Sequence, residues 1–179
     1  MGAIFMCLNH LTVSHTPYLW STFLLLPAAV TCDFLDGFVA RRLGCHSPFG
    51  ADLDSLADIV SFGVAPAVLG FALGLRGLWD ALILIFFVVC GISRLARFNV
   101  TLSSLAGPKG KVRYFEGTPI PSSIFIVIIL GVLFWQGRVD DRIFFGSWQI
   151  GAWVFHPLTL LYAVNGATMI SSTLRIRKP

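Results

Sequence analysis

Residues 18–75 read YLWSTFLLLPAAVTCDFLDGFVARRLGCHSPFGADLDSLADIVSFGVAPAVLGFALGL. Two apolar blocks, one running from Tyr18 to Cys32 and one following Asp58, flank a polar centre that holds Asp33, Asp36, Asp54 and Asp58. The apolar residues come in long runs rather than at the spacing of half-exposed helices or strands, which is the pattern of membrane-spanning segments. The fold class expected is therefore all-α, a polytopic bundle of membrane helices. Composition agrees: of 179 residues, 56% are hydrophobic and 12% charged, against roughly 25% charged in an average soluble domain. That excludes an ordinary soluble enzyme. At about 20 residues per crossing, five or six crossings leave no room for a separate soluble unit, so residues 1–179 read as a single membrane-embedded domain.

Working outward, Met1 to Val13 is apolar but too short to span, and reads as the remainder of a truncated first helix. Tyr18 to Cys32 continues without a break through Asp33 to Leu43, and Gly50 to Leu75 forms the third helix, closed by Arg76 and Gly77. Trp79 to about Phe98 is the fourth, followed by the polar stretch Asn99 to Thr118. Pro119 and Pro121 open a fifth, to about Trp135. A loop with Arg138, Asp140, Asp141 and Arg142 leads to a last helix from about Gly151 to Leu174, with His156 and Pro157 near its start. About six membrane helices are expected.

This alternation places Arg41, Arg42, Arg94, Arg97, Lys109, Lys111, Arg113, Arg175, Arg177 and Lys178 on one side, and Arg76, Arg138 and Arg142 on the other. By the positive-inside rule the first side is cytosolic, and the four aspartates lie on it. The net charge of +4 has no basic cluster interleaved with aromatics behind it, so membrane lipids, not nucleic acid, are the expected partner. Cys7, Cys32, Cys45 and Cys90 form no CxxC pair and read as small apolar fillers. The tryptophans fall mostly near helix ends, where amphipathic rings suit the interface. Gly70 and Gly74 make a GxxxG, a helix contact or a dimer face.

Carboxylates near a bilayer cost roughly 2.5 to 3.5 kcal/mol each at mid-membrane, so four together need a physical reason. Asp33 and Asp36 are three apart and Asp54 and Asp58 four apart, so each pair projects from one helix face, and the short turn between lets the pairs converge. Four facing carboxylates call for a cation, and hard oxygen ligands suit Mg2+ or Mn2+. A proton relay or ion pathway is the other use of such residues. Gly37, Ala40 and Gly50 leave room beside them, and Arg41 brings a cation for a phosphate. Asp52 lies off the shared face, and Asp140 and Asp141 read as loop solvation.

The pattern Asp33-x2-Asp36-Gly37-x2-Ala40-Arg41-x8-Gly50-x3-Asp54-x3-Asp58 resembles, at all eight fixed positions, the signature of the CDP-alcohol phosphatidyltransferases. The resemblance implies a bundle of six membrane helices, usually a homodimer, that transfers a substituted phosphate from a CDP-linked donor to an alcohol and releases CMP. It implies Asp33, Asp36, Asp54 and Asp58 as metal ligands, Asp58 also as general base, and Gly37, Ala40, Arg41 and Gly50 around the CDP group. A divalent ion would stabilise charge on the leaving phosphate, and a base beside the alcohol completes the chemistry. Direct transfer and a covalent phosphatidyl-aspartate are both open to these residues.

Ser61-Phe62-Gly63-Val64-Ala65-Pro66-Ala67, Ser93-Arg94-Leu95-Ala96-Arg97-Phe98-Asn99-Val100 and Tyr114-Phe115-Glu116-Gly117-Thr118-Pro119-Ile120-Pro121 look like stretches of the phosphatidylserine synthase branch. The last of these and the tail Thr173-Leu174-Arg175-Ile176-Arg177-Lys178-Pro179 look closest to the fungal members. That likeness implies CDP-diacylglycerol as donor and L-serine as acceptor, with another alcohol (inositol, glycerol 3-phosphate, choline) as the alternative within the family and an ion carrier outside it. It also implies the endoplasmic reticulum membrane with the site facing the cytosol, a bacterial inner membrane being the alternative. Family members carry an amphipathic segment and a complete first helix ahead of the point where this chain starts. Arg94 and Arg97, three apart, are placed for a fork on the serine carboxylate, or for snorkelling to lipid phosphate. Glu116 reads as a loop residue, Lys109, Lys111 and Arg113 as a lipid-facing basic loop, and His156 as structural.

Overall fold

A computed structural model of the chain describes residues 1–13, 16–43, 48–105, 114–116, 118, 120–137, 146–150, 153–171 and 175–177. Its helices are α1 (Gly2–Val13), α2 (Thr16–Leu43), α3 (Pro48–Asp58), α4 (Ala65–Ala72), α5 (Leu78–Leu105), α6 (Ile124–Trp135) and α7 (Leu160–Ile170). A π-helical turn, Ile59–Val64, joins α3 to α4 as one rod, and 3-10 turns at Ile120–Ser123 and Pro157–Thr159 lead into α6 and α7. Two short antiparallel ribbons lie outside the helices, β1 (Tyr114–Glu116) with β4 (Arg175–Arg177) and β2 (Trp148–Ile150) with β3 (Trp153–Phe155). The protein is an all-α integral membrane protein.

The sequence of α6, IFIVIILGVLFW, is rich in β-branched residues and would suit a strand in water. In lipid each backbone polar group must be satisfied within its own segment, so the same run is helical. Three helices are long and apolar enough to cross, Pro17–Val39, Asp52–Ala72 and Leu78–Val100, with shorter apolar helices at Gly2–Thr12, Ile120–Trp135 and Pro157–Ile170. The expected set of about six thus has three full-length members among the described residues.

α5 packs along α7, α1 against α2 and α4, and α6 against α2 and α4. The lock between α4, α5 and α7 is Tyr162, fully buried, with its ring edge-on to Phe87 at 5.3 Å and its hydroxyl donating to the Pro66 carbonyl at 2.7 Å. Gly70 makes this possible, since a Cβ there would stand 2.6 Å from the Tyr162 hydroxyl. Gly74 lies beyond the end of α4 with φ of 117°, so the GxxxG divides into a helix contact and a chain reversal. Cys7 and Cys90 are buried fillers, whereas Cys32 is exposed. Cys45 lies outside the described residues.

The last helix is shorter than expected. Residues 153–155 are a strand, and helix resumes only at Pro157. Pro157 disfavours helical backbone at the residue before it, and His156 is extended at φ −105°, ψ 118°. The segment is then held by Asp80 in the first turn of α5. Asp80 is fully buried and accepts from the backbone N–H groups of Gly77 at 3.0 Å and His156 at 2.9 Å, and from the Thr159 hydroxyl at 3.1 Å. Its second oxygen also meets His156 Nδ1. Gly77 is pressed so close that a Cβ would lie 2.0 Å from the Val154 carbonyl oxygen. The fifth helix likewise opens with a 3-10 turn over Ile120–Ser123, the proline-rich start having no full set of N–H donors.

Because the Tyr162 ring fills the space beside Gly70, Gly70→Ala is expected to destabilise the fold by about 1 to 3 kcal/mol, and Tyr162→Phe by about 1 kcal/mol. Removing the hydroxyl also removes the nearest obstruction, so the double variant should lose less than the two single losses combined. A double-mutant cycle on thermal unfolding in detergent micelles checks this.

Candidate active site

α2 carries Asp33 and Asp36 and α3 carries Asp54 and Asp58, at the end of the bundle where α5 brings Arg94. The Asp33 and Asp58 carboxyls lie close enough to act on each other. Asp54 acts electrostatically on both, Asp36 on Asp33, and the Arg94 guanidinium on Asp58. Asp33 and Asp58 are half-buried, while Asp36 and Asp54 are exposed. Asp52, 200° around an ideal helix from Asp54, is exposed and takes no part in these interactions.

The floor beneath the carboxylates is apolar. Phe62, Leu95 and Ile120 form a small core of their own, with Val30, Ile59 and Phe98 packed on it. Val30 lies one turn before Asp33, and Ile59 follows Asp58 directly. Charges over such a floor interact more strongly than in water. The π-helical turn begins immediately after Asp58 and buries Phe62 and Gly63. Its wider turn re-phases the rod, so that α3 presents its aspartates to α2 while α4 presents Gly70 to α7.

α5 fixes the site laterally. Asn99 Nδ2 donates to Ser55 Oγ at 3.1 Å, tying α5 to α3 between Asp54 and Asp58. The Arg94 guanidinium lies over the Phe98 ring at 5.7 Å, and its Nε is buried without a hydrogen-bond partner. Arg97 is differently placed: its Nη2 donates to the Ile170 carbonyl at 3.2 Å and closes the last turn of α7. Ser122 meets Asn165 at 3.4 Å and Thr118 meets Thr168 at 3.3 Å, joining the turn before α6 to α7 at the same end.

The structure therefore brings Asp33, Asp58, Asp54, Asp36 and Arg94 together. Gly37 sits on α2 beside Asp36, and Gly50 in the first turn of α3. Ala40 and Arg41 continue α2, but their side chains lie outside the described residues, as do residues 44–47 between the helices. Among the described residues no three acidic, histidine or cysteine side chains stand close enough to enclose an ion as arranged. The chemistry of the donor set fits a hard divalent cation, since α2 and α3 bring four carboxylates to one end of the bundle. Sequence reasoning missed Asn99 as a tether, although it stands five residues from Arg94 in the stretch already singled out. It also missed Asp80, whose partners are 76 and 79 residues away.

The family model for the CDP-alcohol phosphatidyltransferases matches residues 1–165. The chain belongs to this family. Its relatives include the CDP-diacylglycerol–serine O-phosphatidyltransferase of Saccharomyces cerevisiae, 42% identical over 182 residues, covering 99% of this chain and 65% of the relative. The protein of the same name from Methanocaldococcus jannaschii is 42% identical over 110 residues, 62% of this chain and 50% of the relative. That of Bacillus subtilis is 37% identical over 112 residues, 62% and 59% respectively. The chain thus spans less than two thirds of the length of each. The two stretches that look fungal, around residues 114–121 and 173–179, meet in the β1–β4 ribbon, with Tyr114 opposite Arg177 and Glu116 opposite Arg175.

Arg97→Ala removes the cation from the end of α7 and is expected to fray its last turn, at a cost of about 1 kcal/mol. Amide hydrogen exchange should quicken at residues 168–171 and stay unchanged in α4.

Proposed function

We propose that this chain, as one membrane-embedded domain, transfers the phosphatidyl group of CDP-diacylglycerol to L-serine, giving phosphatidylserine and CMP. The observation that carries this reading is the meeting of Asp33 and Asp58 with their neighbours Asp36 and Asp54, under the charge of Arg94. The relatives' shared name supports the choice of donor and acceptor.

Asp33, Asp36, Asp54 and Asp58 would hold Mg2+ or Mn2+, with Gly37, Ala40, Arg41 and Gly50 shaping the pocket for the CDP group. A divalent cation bound there would supply charge neutralisation for the pyrophosphate and the departing CMP phosphate. Asp58 accepts the proton of the serine hydroxyl as its oxygen bonds to the phosphorus next to diacylglycerol and the pyrophosphate bond breaks. Arg94 takes the serine carboxylate, while Arg97, expected to share that fork, is engaged by the end of α7. The apolar floor of Phe62, Leu95 and Ile120 keeps water from one side of the reacting groups, so that the alcohol and not water is the nucleophile. The protein works as a homodimer in the endoplasmic reticulum membrane, with this end facing the cytosol. The alternation of apolar runs in the sequence assigns ten of the chain's 13 Lys and Arg residues to the side of the aspartates, which supports that orientation.

The experiment is CMP release by membranes carrying the protein, given CDP-diacylglycerol and Mn2+ with serine, inositol, glycerol 3-phosphate, choline or no alcohol. Release is expected with serine alone, and Asp58→Asn should lower it by roughly 100-fold or more. Release with a different alcohol would replace the acceptor, and no release with any would overturn the transferase reading.

Arg94→Ala is expected to raise the serine KM roughly tenfold, as for the loss of a hydrogen bond to a charged group, and to change the CDP-diacylglycerol KM much less. Equal effects on both would remove Arg94 from the acceptor site.

A further inference from the structure

All five tryptophans of the chain lie toward the end away from the aspartates. Trp20 precedes Asp33 by 13 residues on α2 and Trp79 precedes Arg94 by 15 on α5, placing both indoles about 20 Å from the acidic site on helices that run in the same direction. Trp135 ends α6 and meets Trp20 edge-on at 5.9 Å. The remaining two, Trp148 and Trp153, are in the β2–β3 ribbon, which rests against α5.

The register of that ribbon sets Trp148 opposite Phe155 and Gln149 opposite Val154. By the alternation of strand side chains, Trp148, Trp153 and Phe155 share one face and Gln149 and Val154 the other. Trp148 is 62% exposed and Trp153 53%. An isolated two-stranded ribbon holds its shape poorly in water, but this one is fixed at its base. The residue after Phe155 is His156, bound to the buried carboxylate of Asp80, and Asp80 is next to Trp79. The carbonyl of Val154 also abuts Gly77. The ribbon is therefore held level with the indole of Trp79.

We propose that the β2–β3 ribbon lies in the plane of the membrane interface, with Trp148 and Trp153 seated among the headgroups and upper acyl chains of the leaflet away from the aspartates. The occupant of this exposed face is phospholipid, because the face continues the interfacial band marked by Trp20, Trp79 and Trp135. Indole rings with an apolar body and one N–H donor favour that layer over both water and the hydrocarbon centre. The two ends of the molecule then hold the bilayer by different chemistry, basic side chains beside the aspartates and indoles opposite.

The test uses the full chain in phosphatidylcholine vesicles, with Trp20, Trp79 and Trp135 each changed to Phe so that only the ribbon indoles fluoresce. Vesicles made from lipid brominated near the headgroup end of the acyl chain are expected to quench this emission by roughly twofold or more, and lipid brominated near the chain terminus to quench less, as for rings at the interface. Equal emission in brominated and plain vesicles with strong quenching by aqueous acrylamide would place the ribbon in water and overturn the proposal. Resistance to both quenchers would place it under protein, a second copy included, and overturn it equally. Should the triple variant fail to fold, the reciprocal Trp148→Phe, Trp153→Phe chain must lose part of the shallow-quenched emission of the unaltered protein, and an unchanged quenched fraction sinks the idea.

Discussion

A carboxylate removed from water must be given donors, a cation or a proton, and this chain meets that demand in opposite ways at its two ends. Asp80, without any exposed surface, receives two backbone N–H groups, a hydroxyl and an imidazole. Its needs are met inside the protein, and it stitches the α4–α5 turn to the segment before α7. Asp33 and Asp58 have each other, with Asp54 and Asp36 adding like charge and, among the described residues, Arg94 opposing it. Among the described residues four acids stand against one guanidinium, a set that retains the capacity to take up a cation.

The frame around the acidic set is rigid where it matters. Tyr162 bonds α7 to α4 and packs on α5, Asn99 ties α5 to α3, and the small core around Phe62 fills the space below. The π-helical turn divides one rod into two working faces, aspartates toward α2 and glycine toward α7. Each of these contacts removes a way for α3 to rotate or slide, and so holds its aspartates in place against α2.

Much of this was legible in the sequence because the information was local. Apolar runs longer than a soluble helix needs gave the spans, and spacings of three and four gave the faces of the aspartate pairs. What escaped was set by distant partners. Asp80 stands between Trp79 and Ala81 in an otherwise apolar run and looks like a helix flank, since His156 and Thr159 are far along the chain. Only the second strand of the ribbon falls within the expected helix, because Trp153-Val154-Phe155 is too short a run for periodicity to decide and Pro157 alone does not show where the helix starts. Arg94 and Arg97 look equivalent at three residues apart, yet one turns to Asp58 and the other to the end of α7. Gly70 and Gly74 look like one motif and serve two purposes.

Gly77 shows how such distant packing leaves its mark on permissible variation. The place of its missing Cβ is taken by a backbone carbonyl, and backbone cannot rotate aside as a side chain would. Selection at this position would therefore act on volume alone, independent of charge, polarity or helix preference, and would be as strict as at the aspartates. In any set of tolerated variants Gly77 would stand out as invariant at the far end of the molecule from the acidic site. Such invariance would report the fit of two surfaces, the turn before α5 and the strand beside it, and carry no information about the acidic site.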